Sequence, residues 1–325
     1  MDLSDSIPTS DCEIDAKRQR MTALLDSLAV EEGSRPSTIL PSVSLIRASR
    51  SLPRMPVLYE PSIVVVGRGR KRGYLGDDTF VYDAYNYLVL TVPMPFECET
   101  EVEEAGPLLA FKVRIDIGVL SELMMKTDSR LVAKTTAQTR GCFATPMDDK
   151  LLDVCIRLLE SMSSAADARI LGPQVIRELT YRVLTGVHGG ALRELLTLNG
   201  KVGQIQLAIE RMHENYSSPF DVQSMADEIG ISASAFHHNF KALTATSPLQ
   251  YLKTIRLHKA KMLMVHEDIS AQLASERVGY ESASQFSREF KRLFGLTPVQ
   301  EVSQTRDRLA INKPVLTAFQ VTDMV

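Results

Sequence analysis

The side chains of this sequence whose types and spacing could do chemistry lie between Gly279 and Pro298, GYESASQFSREFKRLFGLTP. Phe286, Phe290 and Leu293 recur at helical spacing and make one apolar face. Ser284, Gln285, Arg288 and Lys291 fall on the other faces and can reach outward. Thr297-Pro298 supplies a side-chain cap and a proline at a first helical position, where its missing N–H costs nothing. A short helix with a hard apolar back and a donor-rich front, held between two turns, suits the major groove of double-stranded DNA.

The same pattern occurs once more upstream. Phe236, Phe240, Lys241, Leu243 and Pro248 match Phe286, Phe290, Lys291, Leu293 and Pro298 at an offset of 50. Before the turn Ile229-Gly230 matches Val278-Gly279 at 49, so the second turn is longer by Glu281. Two units, each too small to bury a core of its own, imply one paired domain. Ser247-Pro248 starts a helix between them that runs to about His266, roughly 28 Å of rod. That length can hold two reading helices near one DNA turn apart, ~34 Å.

A second charged stretch, Gly67-Arg68-Gly69-Arg70-Lys71-Arg72-Gly73, interleaves four cations with three glycines. The first reading is a solvated turn whose charges protect a sheet edge. The other is an anion site of exposed N–H groups and arginine forks for a phosphorylated ligand, with Arg68, Arg70, Lys71 and Arg72 as ligand-binding residues. The Arg68–Arg72 spacing resembles one element of the PilZ-type cyclic di-GMP motif.

These elements belong to a chain of 325 residues, long enough for two domains, with 44% hydrophobic residues. The net charge is −3. Residues 201–313 hold slightly more bases than acids and the remainder holds the acidic excess, so phosphate neutralisation must come from local clusters. Two stand out, Lys253, Arg256, Lys259, Lys261 and Arg288, Lys291, Arg292. No apolar run approaches a membrane span, and the polar, acidic N-terminus is not a secretory signal, so a cytoplasmic location is expected. Cys12, Cys98, Cys142 and Cys155 are scattered and read as reduced, buried thiols.

In chain order, an amphipathic helix is expected over roughly Ile14 to Val30. Strands are expected at Ser42–Ile46, Ile63–Val66, Phe80–Tyr82, Tyr87–Val92 and Leu108–Val113, separated by Pro and Gly breakers, as in an antiparallel sandwich or small barrel. Helices follow around Leu120–Met124, Leu151–Leu159 and Val175–Leu184. Thr197 to Val202 reads as a linker, and Ile205 begins the repeat domain. A cupin-type metalloenzyme would need clustered histidines, but none precedes His188. No nucleophile-elbow, zinc-protease or phosphate-loop motif occurs, so no catalytic residues, metal or cofactor are expected.

Residues 205–303 resemble the DNA-binding domain of AraC/XylS-type transcription regulators, most closely in VGYESASQFSREFKRLFGLTP. YEPSIVVVGRGRKRGYLGDD, YDAYNYLVLTVPMP and ILGPQVIRELTYRVLTG resemble the AraC-type N-terminal cupin-like effector domain and the helices after it. The resemblance implies an α+β multidomain fold, a cupin-like antiparallel β-barrel with flanking helices followed by an all-α double helix-turn-helix. The division expected is a tail and helix (1–36), an effector and dimerisation domain (37–196), a linker (197–204), the reader (205–303) and a tail (304–325). It implies base-facing positions at Ser234, His237 and His238 in the first unit and at Ser284, Gln285, Ser287 and Arg288 in the second. Arg288 is the foremost candidate for direct readout, and Lys241, Lys291 and Arg292 join it in the DNA-binding set. Expected partners are promoter or operator DNA, RNA polymerase, a second copy of the chain, and a small-molecule or cyclic dinucleotide effector. An enzyme with an accessory helical part is the alternative.

Overall fold

The computed structural model describes residues 9–127, 141–195 and 201–310. The chain opens with α1 (Thr9–Leu28) and β1 (Gly33–Pro36), then β2 (Val43–Ala48), β3 (Leu52–Tyr59), β4 (Ser62–Arg68), β5 (Arg70–Leu75) and β6 (Asp78–Asp83). It continues through β7 (Asn86–Leu90), β8 (Met94–Glu101), β9 (Leu108–Arg114), α2 (Ile117–Lys126) and β10 (Cys142–Pro146). Helices α3 (Asp149–Ser161), α4 (Ala165–Ile170), α5 (Gly172–Thr185) and α6 (Gly189–Leu195) complete the first half. The ten strands form one antiparallel half-barrel in the order β1-β2-β9-β4-β7-β6-β5-β8-β3, with β10 on β7.

Strands β2, β4, β6, β7 and β9 were legible in sequence from their β-rich runs; β1, β3, β5, β8 and β10 were not. β3 carries Pro53 and Pro56 yet pairs with β8 from Leu52 to Tyr59. It lies at the end of the sheet, where a proline facing away from its neighbour breaks no ladder bond. β8 has partners on both sides, but Pro95 pairs only with Leu58 and lies beyond the reach of β5. The Gly67–Gly73 stretch is not a turn. It forms the end of β4 and the start of β5, joined at Gly69, whose φ of +84° and close approach to Glu101 and Leu108 exclude a side chain.

Helix α1 is not a separate tail. Met21 and Leu25 are fully buried, and Thr22 Oγ1 donates to Gly67 O at 2.8 Å. Lys17 joins α1 to α3 through Asp149 (2.6 Å) and Asp153 (2.9 Å), and α5 packs behind α3. Cys98, Cys142 and Cys155 are buried as expected, but Cys12 is exposed. Burial pushes the Cys155 thiol up to about 12.

The second half is helical: α7 (Lys201–Glu214), α8 (Val222–Glu228), α9 (Ala233–Thr244), α10 (Pro248–Glu267), α11 (Ala271–Arg277), α12 (Ala283–Phe294) and α13 (Pro298–Ala310). Residues 201–204 of the expected linker are the first turn of α7, and 304–310 of the expected tail extend α13. The rest of the linker and 311–325 lie outside the described residues. Among the described residues no helix is long and apolar enough to cross a membrane.

Candidate nucleic-acid interface

The repeat holds element by element. α8, α9 and α10 correspond to α11, α12 and α13, and their starts are capped alike. Asp221, Ser232 and Ser247 accept backbone N–H groups in the first unit, and Ser270 and Ser282 do so in the second. Thr297 and Gln300 form a reciprocal capping pair at α13, the threonine N–H donating to Gln300 Oε1 at 3.1 Å. α9 ends at Ala245 and α12 at Gly295, both left-handed. The turn before α12 contains Glu281 as its extra residue. Its Gly279 has φ +80°, and a Cβ there would lie 2.1 Å from Ser217 O. Glycine is therefore required by both backbone conformation and space.

Helices α9 and α12 each have a buried aromatic back, and their polar residues face outward. In α12 Phe286 and Phe290 are fully buried, with ring centroids 5.5 Å apart; Tyr280 abuts the first and Phe294 the second. Ser284, Gln285, Ser287, Arg288, Lys291 and Arg292 are all exposed. In α9 Phe236 and Phe240 are fully buried and pack 5.5 Å apart, and Phe240 meets Tyr251. Ser234, His237, His238 and Lys241 are exposed. Ser275, buried in α11, returns its hydroxyl to Gln272 O at 2.7 Å within its own helix.

The α10 cluster is not a phosphate-binding surface. Lys253 pairs with Glu289 at 2.7 Å and Lys261 pairs with Glu301 at 2.5 Å, both part-buried. Arg256 donates to Tyr216 O (2.6 Å), Gly279 O (3.1 Å) and Ser218 O (2.7 Å), tying the end of α7 to the second turn. Lys259 lies over the Tyr216 ring. Sequence shows their positive charge but not that α10, central in both units, turns these side chains inward. Arg288, Lys291, Arg292 and Lys241 make no ion pair among the described residues.

The two units are bound to the sheet differently. One continuous buried cluster runs from the half-barrel through Leu243, Phe236, Phe240 and Tyr251, whereas Phe286, Phe290, Tyr280 and Met264 form a cluster of their own. Gly141 N donates to Leu243 O at 3.2 Å. Tyr251 OH lies 2.7 Å from Pro93 O and 3.0 Å from His213 Nε2. The carbonyl can only accept, so the hydroxyl donates to it and receives from the imidazole. Burial, with Lys259 nearby, lowers His213 to about 4, and burial lowers His258 to about 3 with Lys261 adding.

The four cations near Gly69 do not converge. Arg68 donates through Nε to Pro107 O at 2.9 Å. Arg70 pairs with Asp83 at 3.3 Å, and Arg72 pairs with Glu101 and Glu99. Lys71 alternates to the buried face of β5, where its Nζ meets Thr100 Oγ1 at 3.2 Å. Among the described residues no group of His, Cys, Asp and Glu could hold a metal ion.

Residues 39–191 match the family profile of the AraC-type transcriptional regulator N-terminus, and 225–304 match a helix-turn-helix domain. The transcriptional activator RhaS of Escherichia coli O1:K1 / APEC is 24% identical over 152 residues, 46% of this chain and 54% of RhaS. The chain thus spans about half the length of the curated relatives it matches. ToxT of Vibrio cholerae strain SCE256, bound to an unsaturated fatty acid, has the same fold. Its TM-score is 0.56 at 11% identity, covering 80% of this chain and 94% of ToxT. An apo ToxT variant gives 0.56 at 10% identity, covering 84% and 99%. RhaS is a helix-turn-helix transcriptional activator, and the enzyme alternative finds no support among these relatives. With an AraC-type N-terminal half-barrel joined to a paired helix-turn-helix, this chain belongs to the AraC-type family of transcription regulators.

Proposed function

We propose that this protein is a sequence-specific regulator of transcription that binds operator DNA through α9 and α12 and is controlled by a small molecule held in the half-barrel. The observation that carries the reading is the division of each reading helix into a buried Phe-Phe back and an exposed polar front, on which Lys241, Arg288, Lys291 and Arg292 make no ion pair among the described residues. Ser234, His237, His238, Ser284, Gln285, Ser287 and Arg288 face base edges; Lys241, Lys291 and Arg292 neutralise phosphates. The working unit is a homodimer that contacts RNA polymerase, as the family resemblance supports. The chain between α6 and α7 joins the effector half to the reader.

The test is duplex binding by the full chain as a function of salt. Each phosphate contact contributes about 0.9 to the slope of log K against log salt, so Lys291→Ala with Arg292→Ala should flatten the slope by about 2. An unchanged slope would contradict the placement of these two residues at phosphates.

For the effector, Lys71 is the one cation of the Gly67–Gly73 set on a buried face, with a hydroxyl rather than a carboxylate as its hydrogen-bond partner. This supports an acidic effector, of which the fatty acid bound to ToxT and a cyclic dinucleotide are two kinds. An acid that binds only the folded chain raises its melting temperature. The rise should vanish in Lys71→Met; a rise that survives there would remove Lys71 from the site.

A further inference from the structure

The exposed Gln285 of α12 is not free to turn. Its Nε2 donates to Glu289 Oε1 at 3.1 Å, one helical turn on. The same carboxylate receives Lys253 Nζ at 2.7 Å on Oε1 and Tyr280 OH at 2.8 Å on Oε2. Its side chain is only 12% exposed. Burial disfavours the charge on Glu289. The hydrogen bonds from Lys253, Gln285 and Tyr280 and the Lys253 charge outweigh this and hold its carboxyl below the usual range. An ionised carboxylate can only accept. Any side-chain amide placed against it must therefore present nitrogen inward and oxygen outward. The first unit has nothing comparable, since Ala235, Asn239 and Ile231 stand at the positions of Gln285, Glu289 and Tyr280.

We propose that Glu289 is a positioning residue for base readout, fixing the Gln285 amide so that its carbonyl oxygen faces the major groove. This rests on the reading of α12 as a DNA-reading helix. In the major groove adenine and cytosine present exocyclic amino donors, while guanine and thymine present carbonyl acceptors. An outward carbonyl therefore selects adenine or cytosine, on the strand that Gln285 faces, over guanine or thymine. A glutamine free to rotate would offer either end and lose that discrimination. The donors from Lys253 and Tyr280 keep Glu289 ionised and immobile; neither touches DNA in this scheme.

The experiment begins with duplexes selected by the full chain from a random pool. Affinities are then measured with each of the four bases at every selected position. Gln285→Ala should erase the preference for adenine or cytosine at one position. Glu289→Gln, which can donate as well as accept, should shrink that preference severalfold or invert it, leaving other positions as they were. Where Glu289→Gln fails to fold, the surface variant Gln285→Glu decides. A carboxylate offers only acceptors, so it should keep the same two bases preferred while binding weakens at every sequence. The proposal is overturned if Gln285→Ala alters no position, or if folded Glu289→Gln keeps the wild-type preference. Loss of the preference in Gln285→Glu overturns it as well. Absence of any selected duplex would instead defeat the DNA-binding reading, and this proposal with it.

Discussion

At the scale of single residues, Arg288 and Arg256 show how differently the same side chain can be used. Arg256 has three backbone carbonyls around its guanidinium and acts as a brace between the two units. Arg288 has no ion pair among the described residues and lies on the exposed face of α12. A bidentate arginine on guanine discriminates by about 1–3 kcal/mol, whereas a phosphate contact weakens all sequences alike when lost. Arg288→Ala should therefore abolish preference at one base pair in titrations against point-variant duplexes. Uniform weakening would reassign Arg288 to a phosphate. The sequence made both arginines look available; only the packing of α10 separates them.

At the scale of elements, the aromatic backs of α9 and α12 decide what pH does to the reader. His213 lies edge-on to Tyr251, and His258 edge-on to Phe294 with its Nε2 lacking a hydrogen-bond partner among the described residues. Both are held below the ordinary imidazole value in the folded state, to about 4 and about 3. The unfolded chain therefore takes up protons first as pH falls. The stability these residues contribute is present above about pH 6.5 and is lost progressively as pH drops through 4 toward 3. The melting temperature should fall over that window, and less steeply in His258→Phe. Parallel curves for the two proteins would contradict the assignment.

The elements also show what sequence could and could not reveal. Helical spacing with Ser caps exposed α9, α10 and α12 nearly to the residue, because local capping and an apolar stripe determine them. Strands β3 and β8 stayed hidden because whether Pro56 and Pro95 are tolerated depends on which neighbours flank each strand. β5 stayed hidden because Arg70, Lys71 and Arg72 read as solvated charge. In the sheet they alternate, with Lys71 turned to the buried side. The exposed fronts of the reading helices were legible, but the inward use of Lys253, Arg256 and Lys261 and the Glu289–Gln285 contact were not, since each needs a partner set by tertiary packing.

At the scale of the whole molecule, the two reading helices are joined by α10, whose 20 residues span about 30 Å. The first unit shares its buried cluster with the half-barrel and is further tied to it through His213, Tyr251 and Pro93; the second packs around its own core. An effector that changed the sheet near Pro93 or Gly141 would act first on α9, by binding the two arrangements with different affinity. In the proposed complex one rigid α10 presents two readers to one face of DNA. Selection of bound duplexes from a random pool by the full chain tests this most directly. Enriched sequences should carry two preferred segments centred about 10 base pairs apart, one helical turn. A single isolated segment, two segments at variable spacing, or no enrichment would contradict it.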